Sequence, residues 1–229
     1  MPEREGVSQP MSTVLFDAAS HSYRTADGIP VPSVTQILAK SGLCDFSFVE
    51  DEIRSRSMQR GNSVHWMLQF EDEGALNYRQ VPMKLRPYRK AYRDWKLGSG
   101  FFPELIEEQF ISHFGFAGTL DRYGRLPSTW MFPAGSRAIV DFKTGEIQEW
   151  VRYQLAAYSI KIHSHPAMAR TVRRIALALR ADGTYKVREF EAASWEKDFS
   201  IFMEAKRRVD AGHVEHVRGD DKTRSPVYC

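Results

Sequence analysis

The chain of 229 residues has only two cysteines, Cys44 and Cys229. That excludes a disulfide framework, and with it any zinc or iron–sulfur site built on four thiolates. No apolar run approaches the roughly 18–20 residues needed to cross a bilayer, so no membrane association is expected. The opening segment, MPEREGVSQPMS, lacks the apolar stretch of a secretory signal and reads as a disordered leader over residues 1–12. The expectation is therefore a cytoplasmic protein. Charge of one sign is also scarce. The net charge of +3 is too small to demand a polyanionic partner by itself. There is no internal repeat, no low-complexity tract and no Walker lysine motif, so no nucleotide cofactor is expected.

What is present is an ordinary globular composition, with 42% hydrophobic and 27% charged residues. It is enough for one sizeable core, expected over residues 13–212 as a single domain, with a charged and mobile tail at 213–229. Val14–Asp17 and His21–Arg24 read as a short hairpin. Ser33 is a plausible N-cap for a helix over Val34–Ala39, ended by Gly42. A longer helix is expected from Phe48 to Phe70, with a break near the Arg-Ser-Arg-Ser stretch or Gly61. A third helix follows Pro82, runs to about Leu97 and stops at Gly98 and Gly100. Strands are expected at Leu105–Phe114 and Gly118–Arg125, turning at Gly115, and at Arg137–Lys143 after a Pro- and Gly-containing loop. A helix over Gln148–Ile162, a hairpin of Arg173–Leu179 with Thr184–Phe190, and a helix over Ser194–Ala211 complete an α/β sheet flanked by helices.

The chemistry concentrates in Gly118-Thr119-Leu120-Asp121, Asp141-Phe142-Lys143-Thr144-Gly145 and Gln154-x-x-x-Tyr158. Residues two apart on a strand face one side, so Asp141 and Lys143 project together. Asp121, on the preceding strand, can be brought beside Asp141. Two converging carboxylates repel each other and call for a cation, and hard oxygen ligands suit magnesium or manganese. Such a centre polarises a phosphodiester and lowers the pKa of a bound water, while a neighbouring ammonium stabilises the developing charge. An isolated Asp-x-Lys is ordinarily a surface ion pair. The ordered set is what carries information.

With Arg60-Gly61-Asn62-Ser63-Val64-His65, the Glu107-Glu108 pair, His21-Ser22-Tyr23 and Val31–Leu38 added, the sequence resembles the PD-(D/E)XK nuclease superfamily in its RecB-like, phage-type exonuclease branch. The resemblance spans roughly residues 14–160. It implies a restriction-endonuclease-like fold, a central mixed β-sheet flanked by α-helices. It implies Asp121 and Asp141 as metal ligands, the backbone carbonyl of Phe142 in the same shell, Lys143 as the catalytic lysine and His65 reaching the metal from a helix. Adjacent residues on a strand face opposite ways, so only one glutamate faces the metal. Spacing to Gly118-Thr119 favours Glu108. Gln154 and Tyr158, four apart, share a helix face and would contact the active site or the DNA.

The implied activity is Mg2+- or Mn2+-dependent hydrolysis of DNA without an iron–sulfur cluster, most simply by an exonuclease acting on free ends in recombination, repair or phage genome processing. A structure- or sequence-specific endonuclease and a catalytically silent DNA-binding protein are the alternatives. A homo-oligomer or a recombination or repair partner protein fits the resemblance, but no residue specifies an interface. Two windows are locally basic. Residues 143–188 hold nine basic against three acidic residues, and residues 84–96 hold six against one. Phosphate contacts are therefore expected from Arg60, Arg152 and Lys161, and from Arg89 and Arg93 on the third helix. The aromatics of that helix, Tyr88, Tyr92 and Trp95, have the spacing of a buried face.

Overall fold

The computed structural model describes residues 14–17, 20–44, 49–128 and 136–212. The leader (1–12), the tail (213–229), Phe48 and most of the loop between Leu126 and Ser136 lie outside them. Strands β1 (Leu15–Asp17), β2 (Ser22–Arg24) and β3 (Pro30–Val31) form a small antiparallel sheet in that order. The expected hairpin is there; the third strand was not anticipated, because two residues carry no period. Helix α1 (Val34–Lys40) begins at a full capping box. Ser33 Oγ accepts the Gln36 N–H at 3.1 Å, and the Ser33 N–H donates to Gln36 Oε1 at 3.0 Å.

Helix α2 (Asp51–Asp72) runs without the expected break at Gly61. A single helical glycine costs only about 1 kcal/mol, and burial of Val64, Met67 and Leu68 against the sheet outweighs it. Helix α3 (Arg86–Ser99) starts with Pro87 in its first turn and ends at Gly100, whose φ of 67° is the left-handed cap that glycine supplies without steric cost.

The main sheet has five strands, β4 (Phe102–Ser112), β5 (Phe116–Leu126), β6 (Ser136–Lys143), β7 (Arg173–Leu179) and β8 (Tyr185–Phe190), adjacent in that order. Only β6 and β7 run parallel. Their connection carries α4 (Val151–Ile162) and the short α5 (Pro166–Ala169), and α6 (Trp195–Asp210) closes the described fold. Side-chain alternation divides the core in two. Ile139 and Ala176 face a cluster with α1, α4 and α6, whereas Val140, Phe142, Ile175, Leu177 and Leu179 face α2 and α3. Tyr88, Tyr92 and Trp95 are buried in the second cluster, as their spacing suggested. Helices thus cover both faces of a mixed sheet. Among the described residues no helix is long and apolar enough to cross a membrane.

Candidate metal centre

The ladder between β5 and β6 stops at the pair Arg122–Val140. Beyond it the strands part, and Asp121 occupies the fork. Its Oδ2 accepts the Phe142 N–H at 2.6 Å, replacing a ladder bond with a side-chain one. Its Oδ1 faces α2, where His65 Nδ1 lies 3.6 Å away. The same His65 nitrogen is 3.3 Å from Glu107 Oε1. One donor atom each from His65, Glu107 and Asp121 fall within 4.8 Å of one another.

Of the two adjacent glutamates it is Glu107, and not the Glu108 favoured by spacing, that faces His65 and Asp121. Glu107 lies in β4 with φ of 48°, a left-handed conformation rare for a non-glycine residue in a strand. The two glutamates face opposite ways, as adjacent strand residues do, and spacing along the sequence does not say which of them faces the site. Glu108 turns away and pairs with Lys161 at 3.0 Å, which also removes Lys161 from the free phosphate-binding groups expected of it.

Asp141 is nearly fully buried and stands outside that trio of ligand atoms. Its Oδ2 makes no hydrogen bond and meets the Lys143 ammonium as an ion pair at 2.8 Å. Lys143 in turn donates to Gln154 Oε1 at 3.1 Å, and Gln154 Nε2 donates to the Tyr158 hydroxyl at 3.0 Å. The expected shared face of Asp141 and Lys143 and the shared helix face of Gln154 and Tyr158 thus meet in one buried chain of contacts. Phe142 is tied to the centre through its N–H, which donates to Asp121. Its ring packs against His65 and under the Arg122 guanidinium.

The electrostatics describe a site with surplus negative charge. Burial alone would lower the His65 pKa, but Asp121, Glu107 and Asp141 outweigh it and raise the group to about 9. Burial raises Asp121 to about 7; Asp141 and Glu107 add to the rise, while His65 and Lys143 oppose it. Glu107 is held below its ordinary value against the effect of burial, by His65 and Arg122. Tyr23, hydrogen-bonded to Thr119 at 2.8 Å, is pushed up to about 12 by burial, with Asp121 and Glu107 contributing.

These residues fit a small hard cation. Donors on a magnesium-sized ion lie about 2.1 Å from it, so no two are more than about 4.2 Å apart. The observed 4.8 Å limit needs only a modest contraction. The buried Asp141 oxygen that makes no hydrogen bond and meets Lys143, together with the raised pKa of Asp121, marks a surplus of negative charge that a cation would offset.

The basic residues expected to hold DNA divide differently. Arg152 bonds to the buried Asp198 at 2.8 Å, and Arg89 bonds through two nitrogens to Glu71, which Arg93 also approaches. The basic residues of the two windows are thus largely paired with acids, most of them from outside the windows. Arg173 pairs with Glu189, Arg170 with Glu196, and both Arg180 and Lys186 with Glu146. Arg60 has no carboxylate partner among the described residues and bonds to Ser57 at 3.4 Å.

Two residues that sequence inspection passed over belong to the centre. Arg122 and the Asp72 carboxylate are fully buried and bonded to each other at 2.7 Å. Asp72 is seven residues beyond His65, on the same side of α2, which was the only sequence signal available.

The chain matches no protein-family model, and no curated protein matches it.

Proposed function

We propose that the chain is a divalent-metal-dependent deoxyribonuclease of the PD-(D/E)XK, RecB-like kind, with the central mixed sheet of the restriction-endonuclease-like fold. The observation that carries this reading is the convergence of His65, Glu107 and Asp121 at a fork between strands, with the Asp141–Lys143 pair alongside. A structural ion pair needs no histidine and no further carboxylates. A metal-dependent phosphodiesterase centre uses such a set to hold a cation beside an ammonium.

Bound at His65, Glu107 and Asp121, with Asp141 alongside, Mg2+ or Mn2+ would supply Lewis acidity at the scissile phosphate and a water of lowered pKa. Lys143 would orient that water and offset charge on the pentacoordinate phosphorus. Gln154 accepts from the same ammonium that pairs with Asp141, and its own amide donates to Tyr158. His65, Tyr92 and Arg122 crowd the Phe142 ring and hold the strand end that carries Lys143. The expected activity is exonucleolytic, on free DNA ends in recombination, repair or phage genome processing.

The test is end-labelled DNA, linear and covalently closed circular, incubated with Mg2+, with Mn2+ and with chelator. Metal-stimulated release of nucleotides from linear DNA alone supports the exonuclease. Cutting of circles makes it an endonuclease on the same centre. Binding without cleavage of any substrate under any metal would overturn the nuclease reading.

A further inference from the structure

The buried charges behind the centre form a directed chain. Asp72, the last residue of α2, has a fully buried carboxylate. It accepts hydrogen bonds from Tyr92 at 2.6 Å, from Lys96 at 2.6 Å and from Arg122 Nε at 2.7 Å. Arg122 Nη1 then donates to two acceptors, Glu107 Oε1 at 2.9 Å and the Asp121 carbonyl at 2.6 Å. The Glu107 oxygen it holds is the one that faces His65. A single guanidinium nitrogen therefore spans the side chain of one candidate ligand and the backbone of another.

Glu107 needs such a restraint. A non-glycine residue at φ of 48° costs on the order of 1–3 kcal/mol and persists only where its surroundings over-determine it. The planar fork of arginine, stacked here on the Phe142 ring at 5.0 Å, restricts direction as well as distance. Arg122 is too deep to reach a substrate, and its own pKa is raised. Burial opposes that rise, and Glu107, Tyr92 and Asp72 produce it.

We propose that Arg122 is a positioning residue that sets the Glu107–Asp121 spacing for a divalent cation, with Asp72 as its anchor. The inference rests on the metal-dependent reading of the centre. It goes beyond it by assigning ligand geometry to two buried residues outside the ligand set.

The test compares wild type, Arg122→Lys and Asp72→Asn. Mn2+ affinity is measured by calorimetry without DNA, alongside melting temperature, circular dichroism, and kcat and KM for DNA cleavage. Arg122→Lys keeps the charge but, with one nitrogen in place of a fork, cannot hold Asp72 and span both acceptors at once. It is expected to weaken Mn2+ binding about 10–100-fold, the usual effect of losing an outer support of a ligand, while remaining folded. Asp72→Asn keeps the shape and weakens only the anchor, so a smaller loss in the same direction is expected. Both losses should appear in kcat with KM little changed. A folded Arg122→Lys protein that binds Mn2+ as wild type does overturns the inference and leaves the nuclease reading standing. Wild-type protein that binds no Mn2+ overturns both. If Arg122→Lys does not fold, Asp72→Asn decides on the same criterion.

Discussion

Asp121 Oδ2 accepts the Phe142 N–H across the fork between β5 and β6 at 2.6 Å. That bond fixes one carboxylate oxygen in the sheet and leaves the other facing His65 and Glu107. It also ties the strand end bearing Asp141 and Lys143 to the strand bearing Asp121, so the two halves of the candidate centre cannot separate without breaking it.

Lys143→Ala is expected to lower kcat by about 100-fold or more, the scale of losing one group that stabilises transition-state charge, with oligonucleotide affinity close to wild type. It also strips the buried Asp141 of its ion-pair partner, so the chelated variant should melt at a lower temperature than wild type. Cleavage at the wild-type rate with Mg2+ would sink the proposed role.

The two adjacent glutamates should behave oppositely. Glu107→Gln removes charge from the ligand trio and should abolish metal-stimulated cleavage. Glu108→Gln breaks a partly exposed pair with Lys161, worth at most about 1 kcal/mol, and should cleave normally. Parallel cleavage assays of the two variants decide it, and loss in Glu108→Gln with normal cleavage by Glu107→Gln would return the choice to Glu108.

Stability without metal should fall as pH rises. His65, raised from 6.5 to about 9, contributes stability that is complete below 6.5 and lost as pH climbs through about 9. Asp121, raised from 3.8 to about 7, resists ionising in the fold, so its contribution also declines as pH rises between those values. Divalent cations compete with both protons. Mn2+ should therefore bind with proton release, and the gap in melting temperature between metal-loaded and chelated protein should widen from about pH 6 to about pH 8. Calorimetry in buffers of different ionisation enthalpy measures the protons. A gap that is flat or shrinking with pH contradicts the ligand assignment.

Gly118→Ala would put a Cβ 2.8 Å from the Tyr158 ring and 3.2 Å from Phe110. Overpacking of this kind costs about 1–3 kcal/mol. Because Tyr158 holds Gln154, which holds Lys143, the variant should lose activity beyond what its melting temperature explains. Wild-type stability would show that the ring has room to move.

Arg152→Ala should act on stability and not on DNA. Asp198 is buried and shared between Arg152 and Arg174 at 2.8 Å each. Losing one partner leaves part of a buried carboxylate unpaired, at a cost of about 1–3 kcal/mol. Denaturant melts should register that loss, and salt-dependent DNA binding should be unchanged. A shallower salt dependence of binding would restore the phosphate-contact role.

Sequence by itself determined the alternation of β6, the cap at Ser33, the glycine stop at Gly100 and the ordered residues from His65 to Tyr158, because these depend on neighbours within a turn or a strand. The same-face pairs Asp141 with Lys143 and Gln154 with Tyr158 were legible for that reason. Tertiary structure alone decided which glutamate faces His65, since alternation says only that one of the two does and the left-handed residue inside β4 leaves no mark in the sequence. It alone decided that most of the basic surplus is consumed in ion pairs, because the compensating acids Glu71, Glu189, Glu196 and Asp198 lie outside the two basic windows. And it alone joined Asp72 to Arg122, fifty residues apart in the chain, because two charges reach a fully buried position only when each is the other's partner.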